Sequence, residues 1–220
     1  MNRPPLHFWL VILFAVMPLA MKAERKSELQ IRAGGGFAVY GTRSTTSYAF
    51  PGFTNTTTDE GAAATLHIPL DVRYAFSPRF NIGLDLKFGS YLYDPDSAEG
   101  KSNGFSVIGI AAEYSLIARE NVRWYLGLGL NSAGLETRET DLRTQLTSIA
   151  TYRGGGWKLS TGAILFFSNH LGVHFQLGLD SHDFTLQQFK LDNQSFNLEN
   201  FNGRLETVGL DGLVGLVIRL

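Results

Sequence analysis

Ser181, His182 and Asp183 stand side by side, the residue types of a hydroxyl nucleophile, its base and the acid that orients the base. Successive residues of an extended chain point to opposite faces, so adjacency in sequence argues against a working triad. His67 and His174 fall in alternating apolar–polar segments, whereas His170 and His182 fall in a predicted turn and a predicted loop, and no His-x-Ser pair occurs. The stretch "EGKS" (Glu99–Ser102) ends as a phosphate-binding loop ends. Pro95 stands where that loop requires glycine, and the strand–loop–helix setting is missing. Asp94, Asp96 and Glu99 could offer oxygens to calcium but lack the twelve-residue ligand spacing, and they read as a solvated acidic loop. The expectation is a protein without enzymatic chemistry, cofactor or metal.

What remains is charge placed on one side of alternating segments. Arg32, Asp71, Arg73, Asp85, Lys87, Glu113, Lys158, His174, Asp180, Asp211 and Arg219 all share a face with small or polar residues, as His67 does. The stretch "TLHIPLDVRYAF" (Thr65–Phe76) shows the pattern, with Leu66, Ile68, Leu70, Val72, Tyr74 and Phe76 on one face and Thr65, His67, Asp71 and Arg73 on the other. The same alternation recurs over 29–39, 80–89, 108–116, 124–131, 157–167, 171–180 and 208–220, which makes eight predicted strands. Most run to about ten residues or more, beyond the five or six usual in globular sheets.

The connections alternate too. "SPR" (Ser77–Arg79), "REN" (Arg119–Asn121) and "SNH" (Ser168–His170) read as tight hairpins, and between them lie long polar stretches over 41–61, 94–104, 135–155 and 181–203. Such an up-and-down meander of eight strands can close into a barrel with no exposed edge, and a monomer is expected. Across "SPR", Phe76 should face Phe80 and Asp71 face Asp85, with Arg73 and Lys87 on the diagonals. Across "SNH", Lys158 should face Asp180.

Glycine decides which face is inside. Gly34, Gly36, Gly83, Gly89, Gly109, Gly127, Gly129, Gly162, Gly172, Gly178, Gly209 and Gly215 share the polar face, whereas Gly35 and Gly212 are the ones on the apolar face. A solvent-facing strand position gives no reason to tolerate glycine so often, but the crowded interior of a narrow barrel does. The apolar face therefore looks outward into lipid. Tyr74, Phe76, Phe80, Tyr114, Trp124 and Phe167 bunch near the tight turns, and Tyr40, Phe88, Tyr93, Phe105 and Trp157 near the long connections, as two interfacial belts would.

The remaining sequence fits export. Arg3, the apolar run "FWLVILFAVMPL" and "AMKA" read as a signal peptide over residues 1–23, leaving 24–220 as the barrel. That run of about a dozen residues is short of the roughly 20 a spanning helix needs. No later segment is a continuous apolar run of spanning length. A formal net charge of −1 points to no nucleic-acid partner, and the absence of cysteine removes disulfides and thiolate chemistry.

With these features the chain, from about Leu29 to Leu220, resembles the small OmpA- and OmpX-type outer-membrane barrels of Gram-negative bacteria. Gly215, Ile218 and the terminal Leu220 resemble the family's C-terminal assembly signal, with Leu220 where the family usually ends in an aromatic. The resemblance implies an outer-membrane location, contact with outer-membrane lipid and lipopolysaccharide, and delivery by the barrel-assembly machinery. The chain ends at its last strand, so a barrel without a peptidoglycan-binding domain is expected. Three functions are open to such a barrel. The leading one is a structural or surface-interaction (adhesin-like) barrel with a charged, plugged interior, binding protein or glycan through Phe184, Phe189, Phe196 and Phe201 or the Thr-rich first loop. Those aromatics could equally pack on one another above the membrane. The others are a narrow pore for small solutes or ions, and a lipid A-modifying enzyme, for which the histidines are badly placed.

Overall fold

The computed structural model describes residues 28–50, 52–93, 101–140, 144, 146–192, 194–196, 198 and 200–220. Residues 1–23 of the expected signal, and Asp94, Pro95, Asp96 and Glu99, lie outside them.

Eight long antiparallel strands follow one another around a ring: β1 (Glu28–Phe50), β2 (Phe53–Ala75), β3 (Phe80–Tyr93), β4 (Lys101–Ala118), β5 (Val122–Thr140), β6 (Thr147–Phe166), β7 (Leu171–Leu191) and, after the two-residue β8 (Gln194–Ser195), β9 (Phe201–Arg219). β9 pairs with β7 on one side and β1 on the other, so the sheet closes. At the seam the Leu220 N–H donates to the Leu29 carbonyl at 2.9 Å. The short turns form where Ser77 and Ser168 accept from the backbone: Ser77 Oγ from the N–H of Phe80 (3.1 Å) and Ser168 Oγ from that of Leu171 (3.0 Å). The β1–β2 ladder is interrupted between Ala33↔Leu70 and Gly36↔His67, next to Pro69, which has no N–H to give.

Exposure is inverted relative to a soluble protein. Leu210, Leu177 and Ile68 are about two-thirds exposed (71%, 68% and 66%), while Arg32, Arg73, Lys87, Glu113, Asp180 and Asp211 are buried. So continuous an apolar exterior is stable only against hydrocarbon. Tyr74, Phe76, Tyr114, Trp124 and Phe167 stand out of it near the short turns, and Phe88 and Trp157 at the other end. A bulge between Ser115 and Ile117 turns both Leu116 and Ile117 outward.

Glycine behaves as the crowding argument requires. A Cβ on Gly83 would overlap the Val72 carbonyl oxygen, one on Gly36 the His67 ring, and one on Gly162 the Tyr125 hydroxyl. A Cβ on outward Gly35 would meet nothing within 4 Å.

Two expectations are corrected. Tyr40 and Phe105 do not join the outer belt; they point into the barrel, 2% and 5% exposed. Much of the long polar stretches is strand rather than loop. β1 and β2 run 23 residues each and rise past the apolar belt to a hairpin at Gly52, whose φ of +82° suits glycine. β7 likewise carries His182 and Asp183 on a strand, not in a loop. On it His182 points inward at 3% exposed while Asp183 points out, so the Ser181–His182–Asp183 run forms no triad.

Candidate functional site: the filled lumen

The interior is packed in layers. At the mouth beside the short turns, Arg123 Nη2 donates to Glu28 Oε2 at 2.8 Å, and Arg219 Nε lies 3.3 Å from Glu28 Oε1. The Arg219 guanidinium also caps the Phe166 ring, 3.6 Å from its centroid. Arg219 thus sits at the rim, apart from the other predicted interior charges.

Above it, Glu113 collects two arginines. Arg32 Nη1 and Nη2 donate to its two carboxylate oxygens, both at 2.7 Å, and Arg73 Nε donates to Oε1 at 3.0 Å. Arg73 also donates to Asp85, with Asp71 3.9 Å away. Gln30 and Asn81 complete the layer, Gln30 Oε1 accepting from Arg32 at 3.0 Å. Beside them Tyr125 Oη lies within hydrogen-bonding distance of His174 Nε2 (2.5 Å) and donates to Gln176 Oε1 at 2.9 Å. A carboxylate shared between arginines in fork geometry satisfies charges that could not be buried singly.

The next layer centres on Lys87, whose Nζ donates to Asp180 at 2.7 Å and Asp211 at 2.5 Å. Lys158 Nζ lies 3.7 Å, and His67 Nε2 3.3 Å, from Asp211. The predicted pairings across the turns, Asp71 with Asp85 and Lys158 with Asp180, are present as backbone register. Arg73 meets Asp85 on the predicted diagonal of the hairpin, whereas Lys87 reaches across the lumen to Asp180 and Asp211 rather than to Asp71, and Lys158 approaches Asp211.

The layer nearest the extracellular side is apolar, and the sequence reading missed it. Tyr40, Tyr91, Phe105, Phe184, Ala63, Val107, Leu135 and Leu205 form one buried cluster. The His182 ring lies among them, stacked on Phe184 at 5.7 Å and edge-on to Phe105 at 6.0 Å. Alternation carried one residue past Val39 places Tyr40 inside, and the parity of Asp180 and His182 places Phe184 there. Over this plug lies an open cup of about 220 Å³, with Tyr91, Leu135, Tyr152 and Leu205 among its lining. Among the described residues no His/Asp/Glu group is arranged to hold a metal ion.

A closed eight-stranded meander with a lipid-facing apolar belt and a charged, filled interior defines the class: an integral β-barrel of the small outer-membrane type, located in the bacterial outer membrane. It shares its fold with the outer membrane protein OprG from Pseudomonas aeruginosa, at 12% identity and a TM-score of 0.60, covering 91% of this chain and 99% of that one. Other similar structures are the outer membrane protease OmpT from Escherichia coli (11% identity, TM-score 0.43, 88% and 96% covered) and Ail, the attachment invasion locus protein of Yersinia pestis (11%, 0.39, 85% and 99%). No protein-family model and no curated protein sequence matches the chain.

Proposed function

We propose that this protein is a non-conducting, non-enzymatic monomeric barrel that acts through its extracellular extensions, binding a protein or glycan at the cell surface. The observation that carries this reading is the filled lumen. Two layers of paired charge and one of packed aromatics block the axis, and what is left to act stands above the membrane. There β2 is exposed on both faces from Phe53 to Ala62. Phe53 is 61% and Phe196 50% exposed. Aromatics of the extensions also pack on one another, Tyr48 on Phe201 at 4.9 Å and Phe189 on the half-exposed Phe196 at 5.7 Å. These pairs make the extensions firm enough to present the exposed rings as anchors.

In the same reading, residues 1–23 serve as the export signal. Gly215, Ile218 and Leu220 form the C-terminal mark for the assembly machinery, the last two being 44% and 67% exposed on the lipid side. Adhesion of cells displaying the protein to immobilised matrix proteins and glycans tests the surface role. Phe53→Ser with Phe196→Ser should lower adhesion by about tenfold, the loss of roughly 1.4 kcal/mol, with the folded barrel unchanged. Adhesion no better than that of cells lacking the protein would overturn the reading.

A further inference from the structure

The cup above the aromatic plug opens toward the outside of the cell, and strand register sets what surrounds it. Tyr91, Leu135 and Leu205 of the plug make its floor. The half-buried Tyr152 ring, cross-strand neighbour of Leu135, bounds one flank. Asn103 is the next inward position above Phe105 on β4. Ser44, two inward positions above Tyr40, is the cross-strand neighbour of Leu205 on the β1–β9 wall. The cup is therefore apolar below, aromatic on one flank and polar above.

Its polar groups are not used by the protein. Among the described residues neither the Asn103 amide nor the Ser44 hydroxyl makes a hydrogen bond, although both are half-buried and line the cup. The charges lower in the lumen differ, since Glu113, Arg73 and Lys87 are held by partners across the barrel. The amide offers two donors and an acceptor with two lone pairs, and the hydroxyl can donate or accept. Arg138 and Glu139 at the rim bring one charge of each sign, so the lining carries no net charge.

We propose that this cup binds the terminal pyranose of a neutral glycan, its C–H face against Tyr152 and its hydroxyls on Asn103 and Ser44. A pyranose has an apolar C–H face and a rim of hydroxyls, the same division the cup shows. Its polarised C–H bonds suit the negative face of an aromatic ring. The volume of about 220 Å³ is below the ~300–1,000 Å³ of sites for drug-sized ligands, so one ring enters and the rest of the chain leads out to solvent. The site lies in the barrel mouth, apart from the exposed rings of Phe53 and Phe196. It rests on the surface-binding reading only in that the occupant comes from outside, and adhesion through those rings holds or fails independently.

The test uses the full barrel in phosphatidylcholine nanodiscs, titrated with the methyl glycosides of glucose, galactose and N-acetylglucosamine and followed by saturation-transfer NMR. At least one of the three is expected to bind, in preference to the methyl glycoside of glucuronic acid, and its ring C–H protons should take up saturation from the protein's aromatic protons. Asn103→Leu, which removes the amide and narrows the cup, should weaken that binding about tenfold. Tyr152→Ala should weaken it severalfold and reduce the transfer from aromatic protons. Heat-modifiable gel mobility checks folding. If Tyr152→Ala does not fold, Asn103→Leu decides, because that side chain borders the open space of the cup. Binding of none of the three glycosides, equal binding of the glucuronide, or undiminished binding by Asn103→Leu overturns the proposal.

Discussion

Glu113→Gln is expected to destabilise the barrel by about 3–5 kcal/mol, the penalty for breaking a buried ion cluster on one side. The carboxylate is 2% exposed and accepts from Arg32 twice, from Arg73 and from Asn81. An amide returns one acceptor but turns an NH₂ toward a guanidinium, leaving two buried cations with one fewer anion between them. Arg32→Met combined with Glu113→Leu should cost less than the sum of the two single changes, because the pair leaves together. Urea unfolding in lipid vesicles, followed by tryptophan fluorescence, reads both. A loss under about 1 kcal/mol for Glu113→Gln would mean the layer is wet and its charges individually solvated.

The second large effect is steric. Gly83→Val is expected to abolish formation of the heat-modifiable folded band, because the new Cβ would coincide with the Val72 carbonyl oxygen of the adjoining strand, where nothing flexible can yield. Gly35→Val, at an outward position with nothing within 4 Å, should refold as well as the wild type. It replaces a weak strand residue with a strong one and adds apolar surface to lipid. Equal refolding of the two variants would contradict the assignment of inside and outside on which everything else rests.

Much of this was legible in the chain. Alternation shows a strand's two faces without any knowledge of its partners, and the serines of the short turns set the register that brings Asp71 opposite Asp85 and Lys158 opposite Asp180. Arg73 with Asp85 was legible as a diagonal of the hairpin, but the other central ion pairs were not, because they form across the lumen. Lys87 meets Asp211 from 124 positions away, and Arg32 meets Glu113 from 81. The aromatic plug was hidden for another reason. Tyr40 and Phe105 lie just beyond the predicted strands 29–39 and 108–116, where a ring on the outer face and one on the inner differ by a single residue of parity. The extensions misled in the opposite sense. Thr, Ser and Asn clusters read as loop, yet the ladder already formed below carries them upward as strand, with cross-strand contacts such as Ser47 to Thr56 at 3.1 Å.

The central claim is that the axis is closed, and single-channel recording in planar bilayers tests it most directly. The refolded wild type, its folding confirmed by gel mobility, should give no reproducible conductance steps. Asp71→Asn should be equally silent, since the aromatic layer of Tyr40, Tyr91, Phe105 and Phe184 still blocks the path. Discrete steps from the wild type that change with Asp71→Asn would show an open, ion-lined path and contradict the account.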